Sequence, residues 1–274
     1  MKKLKWHKKL LMVLGSVMVL AMLMMAIFSP WLTSLDPNAM DLANRYAAPS
    51  AQHWFGLDEN GSDVFAKIVY GARVSLLVSF VVVMVGAFIG LIVGSLAGYF
   101  GGWIDSLVMR LMDMLYAFPG FLLALALVAM LGPSVRNLII AMSITTWTGF
   151  ARLVRGEVLH LKEREYVTSA FALGAGTWRV LTFHIWPNLV GLLVVQSTLA
   201  MSGTIISESG LSFLGLGAPP TTPTWGALLS SGRKILFEAP HVSFFPGLFI
   251  LILVLGFNLF GDGLRDMMDP KRKT

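Results

Sequence analysis

The chain has no cysteine, which rules out a disulfide framework, a thiolate metal site and a cysteine nucleophile. It is also poor in charge: of its 274 residues only 13% are Asp, Glu, Lys or Arg, whereas 56% are hydrophobic. With a mean hydropathy of +0.73, no soluble domain of this length could bury so much apolar surface, so the composition indicates an integral membrane protein. No Gly-Lys pair occurs, so a phosphate-binding loop is missing and any ATP must be hydrolysed by another chain. His7, His53, His160, His184 and His241 show no ligand spacing, and no metal or cofactor is expected. No Ser/His or paired-Asp constellation sits at matched depth in the apolar runs, which argues against an intramembrane enzyme. The net charge of +6 comes from cations beside apolar runs, not from a basic stripe with aromatics, so nucleic acid is not an expected partner.

What the chain has in abundance is apolar runs. The first, 10–28, follows Lys2, Lys3, Lys5, Lys8 and Lys9. It is longer than the about 7 to 15 residues of a signal core and lacks a small-x-small cleavage site, so it is predicted to stay as a first span. Five more follow at 75–98, 107–131, 137–150, 189–207 and 243–260, the fourth reaching the about 17 residues of a crossing only with its neighbours. The expectation is an all-α integral membrane protein with six transmembrane helices and both termini on one side. Of the 21 cations, Arg45, Lys67, Arg73, Arg136, Arg233 and Lys234 fall on one side and the other fifteen on the side of the termini, which makes the termini cytoplasmic.

This predicts three segments. Residues 1–74 form a tail, a span and an outer loop that is rich in Pro, Asp, Asn and Gly and ends in a short helix near 64–70. Residues 75–265 form a five-helix core with a cytoplasmic loop at 152–188, and 266–274 form a basic tail. The second outer segment, 208–241, is read as irregular because Gly-Leu-Gly217-Ala-Pro-Pro and Pro223-Thr-Trp225-Gly stop helices.

Gly86, Gly90, Gly94, Gly98 and Gly102 recur every fourth residue, which places them on one helix face open to a close neighbour. Packing within the subunit and a face between subunits both fit. Asp105, Arg110 and Asp113 are spaced for mutual pairing at the inner start of the third span. Glu208, at the outer end of the fifth span, either holds the backbone of 210–217 or faces a transport path with Ser212 and Trp225.

The loop 152–188 carries the most information. Arg152, Arg155, Lys162, Arg164 and Arg179 mark it as cytoplasmic, and residues 165–173 read as a short helix with Glu165 at its start and Gly174 as its stop. Pro187 marks re-entry into the membrane. On that helix Tyr166, Ala170 and Leu173 share one face and Val167, Phe171 and Gly174 the next, so an apolar ridge is offered to the cytoplasm. A helix lying flat on lipid is the alternative.

Thr168-Ser-Ala-Phe-Ala-Leu-Gly174 with Ile185-Trp-Pro187 resembles the "EAA" loop of permease subunits in bacterial ABC importers. Phe55-Gly-Leu-Asp-Glu-Asn-Gly61-Ser-Asp-Val-Phe, Tyr70-Gly-Ala-Arg-Val-Ser-Leu and Leu211-Ser-Phe-Leu-Gly-Leu-Gly217-Ala-Pro-Pro with Pro223-Thr-Trp225-Gly narrow the likeness to the C-type subunit of dipeptide, oligopeptide and nickel importers. The resemblance implies the type I importer permease fold with a cytoplasmic coupling helix, in a bacterial inner membrane. It also implies a second permease as heterodimer partner, two ATPase subunits below, and a solute-binding protein that hands over substrate. The residues it assigns to ATPase coupling are Glu165, Tyr166, Thr168, Ser169, Ala170, Leu173, Gly174 and Pro187. Thr168 and Ser169 stand where the family has Glu and Ala, Ser62 where it has Arg, and Trp186 where it has Leu, so contact with the ATPase should depend on shape more than charge. A cation path is expected to offer His, Asp or Glu in the spans and only Glu208 qualifies, which favours peptides over nickel.

Overall fold

The computed structural model of the chain describes residues 2–268. Those residues form eleven α-helices in the order α1 (Lys2–Ile27), α2 (Ser29–Leu32), α3 (Val64–Phe100), α4 (Gly102–Tyr116), α5 (Gly120–Leu131), α6 (Val135–Leu161), α7 (Glu165–Ala172), α8 (Thr177–Val180), α9 (Trp186–Phe213), α10 (Trp225–Lys234) and α11 (His241–Met268). No strand occurs among the described residues; Leu57 and Asp63 make one isolated bridge. Four helical stretches are long and apolar enough to cross a membrane, and a fifth crossing results if the bent pair α4 and α5 counts as one. α6, at 27 residues, is about 40 Å long at 1.5 Å per residue, but Arg136, Arg152, Arg155 and Glu157 shorten its apolar run.

Helix boundaries depart from the sequence expectation at several places. α6 runs to Leu161, inside the stretch expected as a loop from 152, and the end of α9 and all of α10 lie within 208–241, expected to be irregular, because its prolines and glycines fall between these helices. The short helix expected near 64–70 and the span at 75–98 are one helix, α3, so a domain boundary at 74/75 would cut through it. Its start is fixed by Asp63, whose carboxylate accepts from Ala66 N at 2.7 Å, a capping bond. The span expected at 107–131 is broken: α4 and α5 meet at 80°. Pro119 has no N–H to give and pushes Phe118 out of helical geometry, so the backbone turns there. The basic tail 266–274 also starts inside α11, and residues past Met268 lie outside the described residues.

α3 lies against α6 because glycines remove the side chains between them. A Cβ on Gly90 would sit 2.3 Å from Phe150 Cβ, one on Gly94 2.5 Å from Ala151 O, and one on Gly98 2.9 Å from Arg155 O; Gly86 meets Thr146 in the same way. The stripe is therefore a packing face within this chain. Gly102 is not part of it: it has φ +55°, nothing within 4 Å of its Cβ position, and opens α4. A second close contact joins the ends of the chain, where Gly15 of α1 packs on the backbone of Gly256 and Phe260 in α11.

Three apolar clusters follow. The largest joins α1, α3, α6, α9, α10 and α11 through Met22, Ile68, Phe150, Ile205, Trp225 and Leu253. The second holds α5 on α3 and α6 through Val78, Ala124, Val128 and Leu138. The third fastens the loop after α6 to α9 through Val158, Val167, Leu181 and Leu189.

Gly90→Leu should force α3 and α6 apart, at a cost well beyond the about 1 to 3 kcal/mol of ordinary overpacking. A thermal melt of the purified protein in detergent is expected to show loss of the folded state, whereas Gly102→Ala, at an open position, should cost only the about 1 to 2 kcal/mol of its positive φ.

Candidate functional site: the loop between α6 and α9 and a buried carboxylate

α4 and the C-terminal half of α6 are joined by ion pairs. Arg155 grips Asp105 with two nitrogens, its Nη2 at 2.6 Å from Oδ2. One turn earlier Arg152 donates to Asp113 at 2.9 Å and lies 4.6 Å over the Tyr116 ring. The expected pairing of Asp105 and Asp113 with Arg110 does not occur. α4 faces α6, and guanidinium groups from the neighbouring helix reach both acids with better geometry than a residue on the same helix can. Lys162 Nζ then donates to Gly98 O at 3.0 Å and ties the end of α6 to the end of α3.

α7 starts directly after this junction. Glu165 occupies its first turn, where a negative charge suits the helix dipole. Its stop has a physical basis: Gly174 adopts φ +85°, Gly174 N donates to Phe171 O at 2.9 Å, and Ala175 N donates to Ala170 O at 3.0 Å. These are the two bonds of a Schellman ending, which a residue with a Cβ reaches only under strain.

The faces of α7 differ from expectation in one respect. Val167 is 3% exposed and packs with Val158, Val180 and Leu189, so it anchors the helix instead of belonging to the ridge. The ridge consists of Tyr166, Phe171 at 63% and Leu173 at 89% exposure, with Trp178 and Phe183 exposed beyond it. Thr168 and Ser169 are exposed, and the Thr168 hydroxyl donates to Glu165 O at 3.0 Å. Ala170 is half-buried.

The return to α9 runs through Leu181–Ile185, one turn of π-helix. Pro187 then sits in the first turn of α9, where its missing N–H costs nothing. Asn188 Nδ2 donates to Tyr166 Oη at 3.3 Å, so the start of α9 holds α7 from the side. Trp186 donates from Nε1 to Ser95 Oγ at 3.0 Å and fixes α9 on α3.

At the other end of α9, Glu208 is fully buried and accepts from Ser75 Oγ at 2.8 Å, Ser212 Oγ at 2.8 Å and Ser209 Oγ at 3.4 Å. The expected bond to the backbone of 210–217 is absent. α9 continues past residue 207 to Phe213, so Glu208 lies on a helix face against α3, and hydroxyls reach it first. The three residues read as path candidates, Glu208, Ser212 and Trp225, do come together, but all are buried in this chain.

The motifs quoted separately from the sequence meet at this junction. Trp225 Nε1 donates to Ile68 O at 2.9 Å, and its ring covers Gly71. A Cβ on Gly217 would lie 2.0 Å from Ser212 Oγ, and one on Gly226 2.1 Å from Ser209 O. Ser75, which links Glu208 to α3, was not singled out in the sequence. Its only signal there is its place in the Tyr70-Gly-Ala-Arg-Val-Ser motif.

Several helices long and apolar enough for a bilayer, a short helix with an exposed apolar ridge and no gathering of metal-binding side chains among the described residues define a multi-pass helical membrane protein. Comparison with known proteins makes the assignment specific. Residues 90–274 match the model of the family described as binding-protein-dependent transport system inner membrane component. Residues 5–49 match the N-terminal TM domain of oligopeptide transport permease C. The chain is 45% identical over 273 residues to the dipeptide transport system permease protein DppC of Alkalihalophilus pseudofirmus, covering 100% of this chain and 89% of that one. It is 48% identical over 260 residues to the glutathione transport system permease protein GsiD of Shigella flexneri, with 94% and 86% covered. The GsiD of Salmonella typhimurium is 49% identical over 256 residues, with 93% and 84% covered. The chain belongs to the family of binding-protein-dependent inner membrane permeases, as a C-type subunit.

Removing one donor from a buried carboxylate leaves it short of partners, at about 1 to 3 kcal/mol. Ser75→Ala should therefore lower the melting temperature of the purified permease measurably, while Ser75→Thr, which keeps the hydroxyl, should restore part of the loss.

Proposed function

We propose that the chain is one of two permease subunits of an ATP-driven importer for di- and oligopeptides. It forms a heterodimer with a second permease, receives its cargo from a solute-binding protein on the outer side, and takes the mechanical work of two ATPase subunits through α7. The observation that carries this reading is the family membership, together with relatives named for dipeptide and for glutathione, itself a peptide.

The six-span arrangement is supported by taking α1, α3, the bent pair α4 and α5, α6, α9 and α11 as crossings, with α6 counted on its length. Cytoplasmic termini follow from the bias of Lys and Arg toward that side. Under this topology α7 faces the cytoplasm. Its support for a coupling role is physical: a helix anchored from below by Val167, held at the side by Asn188 and ended by Gly174 is a stiff lever. Its exposed ridge of Tyr166, Phe171 and Leu173 suits a groove on a partner. The ion pairs of Arg152 and Arg155 and the Lys162 bond to Gly98 would pass the movement of α7 to α3, α4 and α6 together. With Thr168 and Ser169 in place of an acid and an alanine, shape carries the docking and Glu165 supplies what charge there is.

Gly174→Asp should uncouple the machine. In the reconstituted four-subunit complex, ATP hydrolysis is expected to continue while uptake of a labelled dipeptide falls to background, with the variant present in the membrane at normal level. Uptake at the unmodified rate would contradict the docking role of this loop. The chain purified alone should hydrolyse no ATP.

A further inference from the structure

The concave surface most suited to a polar cargo lies between α5, α6 and α9. It is a cleft of about 260 Å³ whose lining includes Gly120, Thr145, Thr146, Gly203, Thr204 and Ser207. Four hydroxyls and no charged side chain line it. The larger groove between α1, α3, α9 and α11, about 1030 Å³, is apolar except for Arg73, Ser197 and Thr198, and its chemistry suits acyl chains. A hydroxyl-lined cleft beside it serves a different kind of guest.

The hydrogen bonds of those hydroxyls say which kind. Thr145 and Thr146 both donate to Met142 O, at 2.9 and 2.8 Å, and Thr204 donates to Ala200 O at 2.8 Å. These three protons are committed to the helix's own backbone, so those oxygens have only acceptor lone pairs left to offer. The complementary guest is a donor of N–H groups.

A second observation at the same cleft points to a polar occupant. Gly120 and Phe121 in its lining are the first residues of α5, immediately after the 80° break. α5 has no side-chain cap, and its first N–H groups find no acceptor among the described residues. Uncapped backbone at membrane depth is stable only against protein or a water-filled cavity, and half-helices of this sort border substrate sites in transporters. Phe121 closes one end of the cleft: a Cβ on Gly210 would lie 3.1 Å from its ring.

We propose that this cleft is the chain's share of the translocation path, where the hydroxyls of Thr145, Thr146, Thr204 and Ser207 accept hydrogen bonds from the backbone N–H groups of a passing peptide. It rests on the peptide-permease function proposed above. Because the contacts are to backbone and the lining carries no charge, the path discriminates little between peptide side chains.

The absence of native cysteine in the chain makes the test clean. The full complex carrying Thr146→Cys or Ser207→Cys is reconstituted in proteoliposomes with its binding protein, and a water-soluble methanethiosulfonate reagent is applied. Both cysteines should react, labelling should stop dipeptide uptake, and transport-competent dipeptide should slow labelling about five-fold or more. Ser197→Cys, in the apolar groove, should leave uptake intact. Without any reagent, Thr146→Val and Ser207→Ala should each reduce uptake about five-fold, the equivalent of one hydrogen bond, and Thr146→Ser should retain it. Full labelling at Thr146→Cys and Ser207→Cys with uptake preserved, or no reaction with the soluble reagent, would overturn the cleft while leaving the peptide function standing. Failure of the unmodified complex to take up any peptide would overturn the substrate assignment itself, and with it the peptide as guest of the cleft.

Discussion

The contact on which the rest of the structure depends is the close approach of α3 to α6. A bilayer gives no hydrophobic incentive for one apolar helix to prefer another, so helices associate where small residues let backbones approach and dispersion contacts accumulate. Gly86, Gly90, Gly94 and Gly98 provide that along the C-terminal third of α3. Every other placement refers to this pair. α4 is tied to α6 by Asp105 and Asp113, α9 to α3 by Trp186 and Glu208, and α10 to α3 by Trp225.

The polar contacts sit at the two ends of this pair and have different chemistry. At the end next to α7 they are ion pairs between charged side chains that are partly exposed, a setting in which such pairs add little stability each. At the opposite end Glu208 is sealed among serines and glycines, where any shift of α9 against α3 would leave buried oxygens without partners.

Much of the architecture was legible in the sequence because bilayers impose strict periodicities. The apolar composition of most helices, the stripe from Gly86 to Gly98, the stop at Gly174 and the helix start at Pro187 each follow from a local rule that tertiary packing did not override. What was not legible depended on which helix lies beside which. Asp105 and Arg110 share a helix, yet the partner of Asp105 is 50 residues away in Arg155. Glu208 could not be assigned to Ser75 because 133 residues separate them. Val167 and Phe171 are one turn apart, and only the position of α9 decides that one is buried and the other exposed. The break at Pro119 was a local signal, but the continuous apolar composition on both sides of it masked a turn of 80°.

Family membership fixes the class of machine, and the physical account adds how this chain would be driven. The central claim is that the exposed ridge of α7 seats in an ATPase subunit by shape. The most direct measurement is cross-linking of Leu173→Cys, at the most exposed point of that ridge, with single cysteines placed along the candidate groove of the ATPase in the assembled complex. The account predicts an efficient disulfide to one groove position, with a yield that changes when ATP is bound. A cysteine at 173 that forms no cross-link to the ATPase in either state and reacts instead with lipid-phase reagents would contradict it.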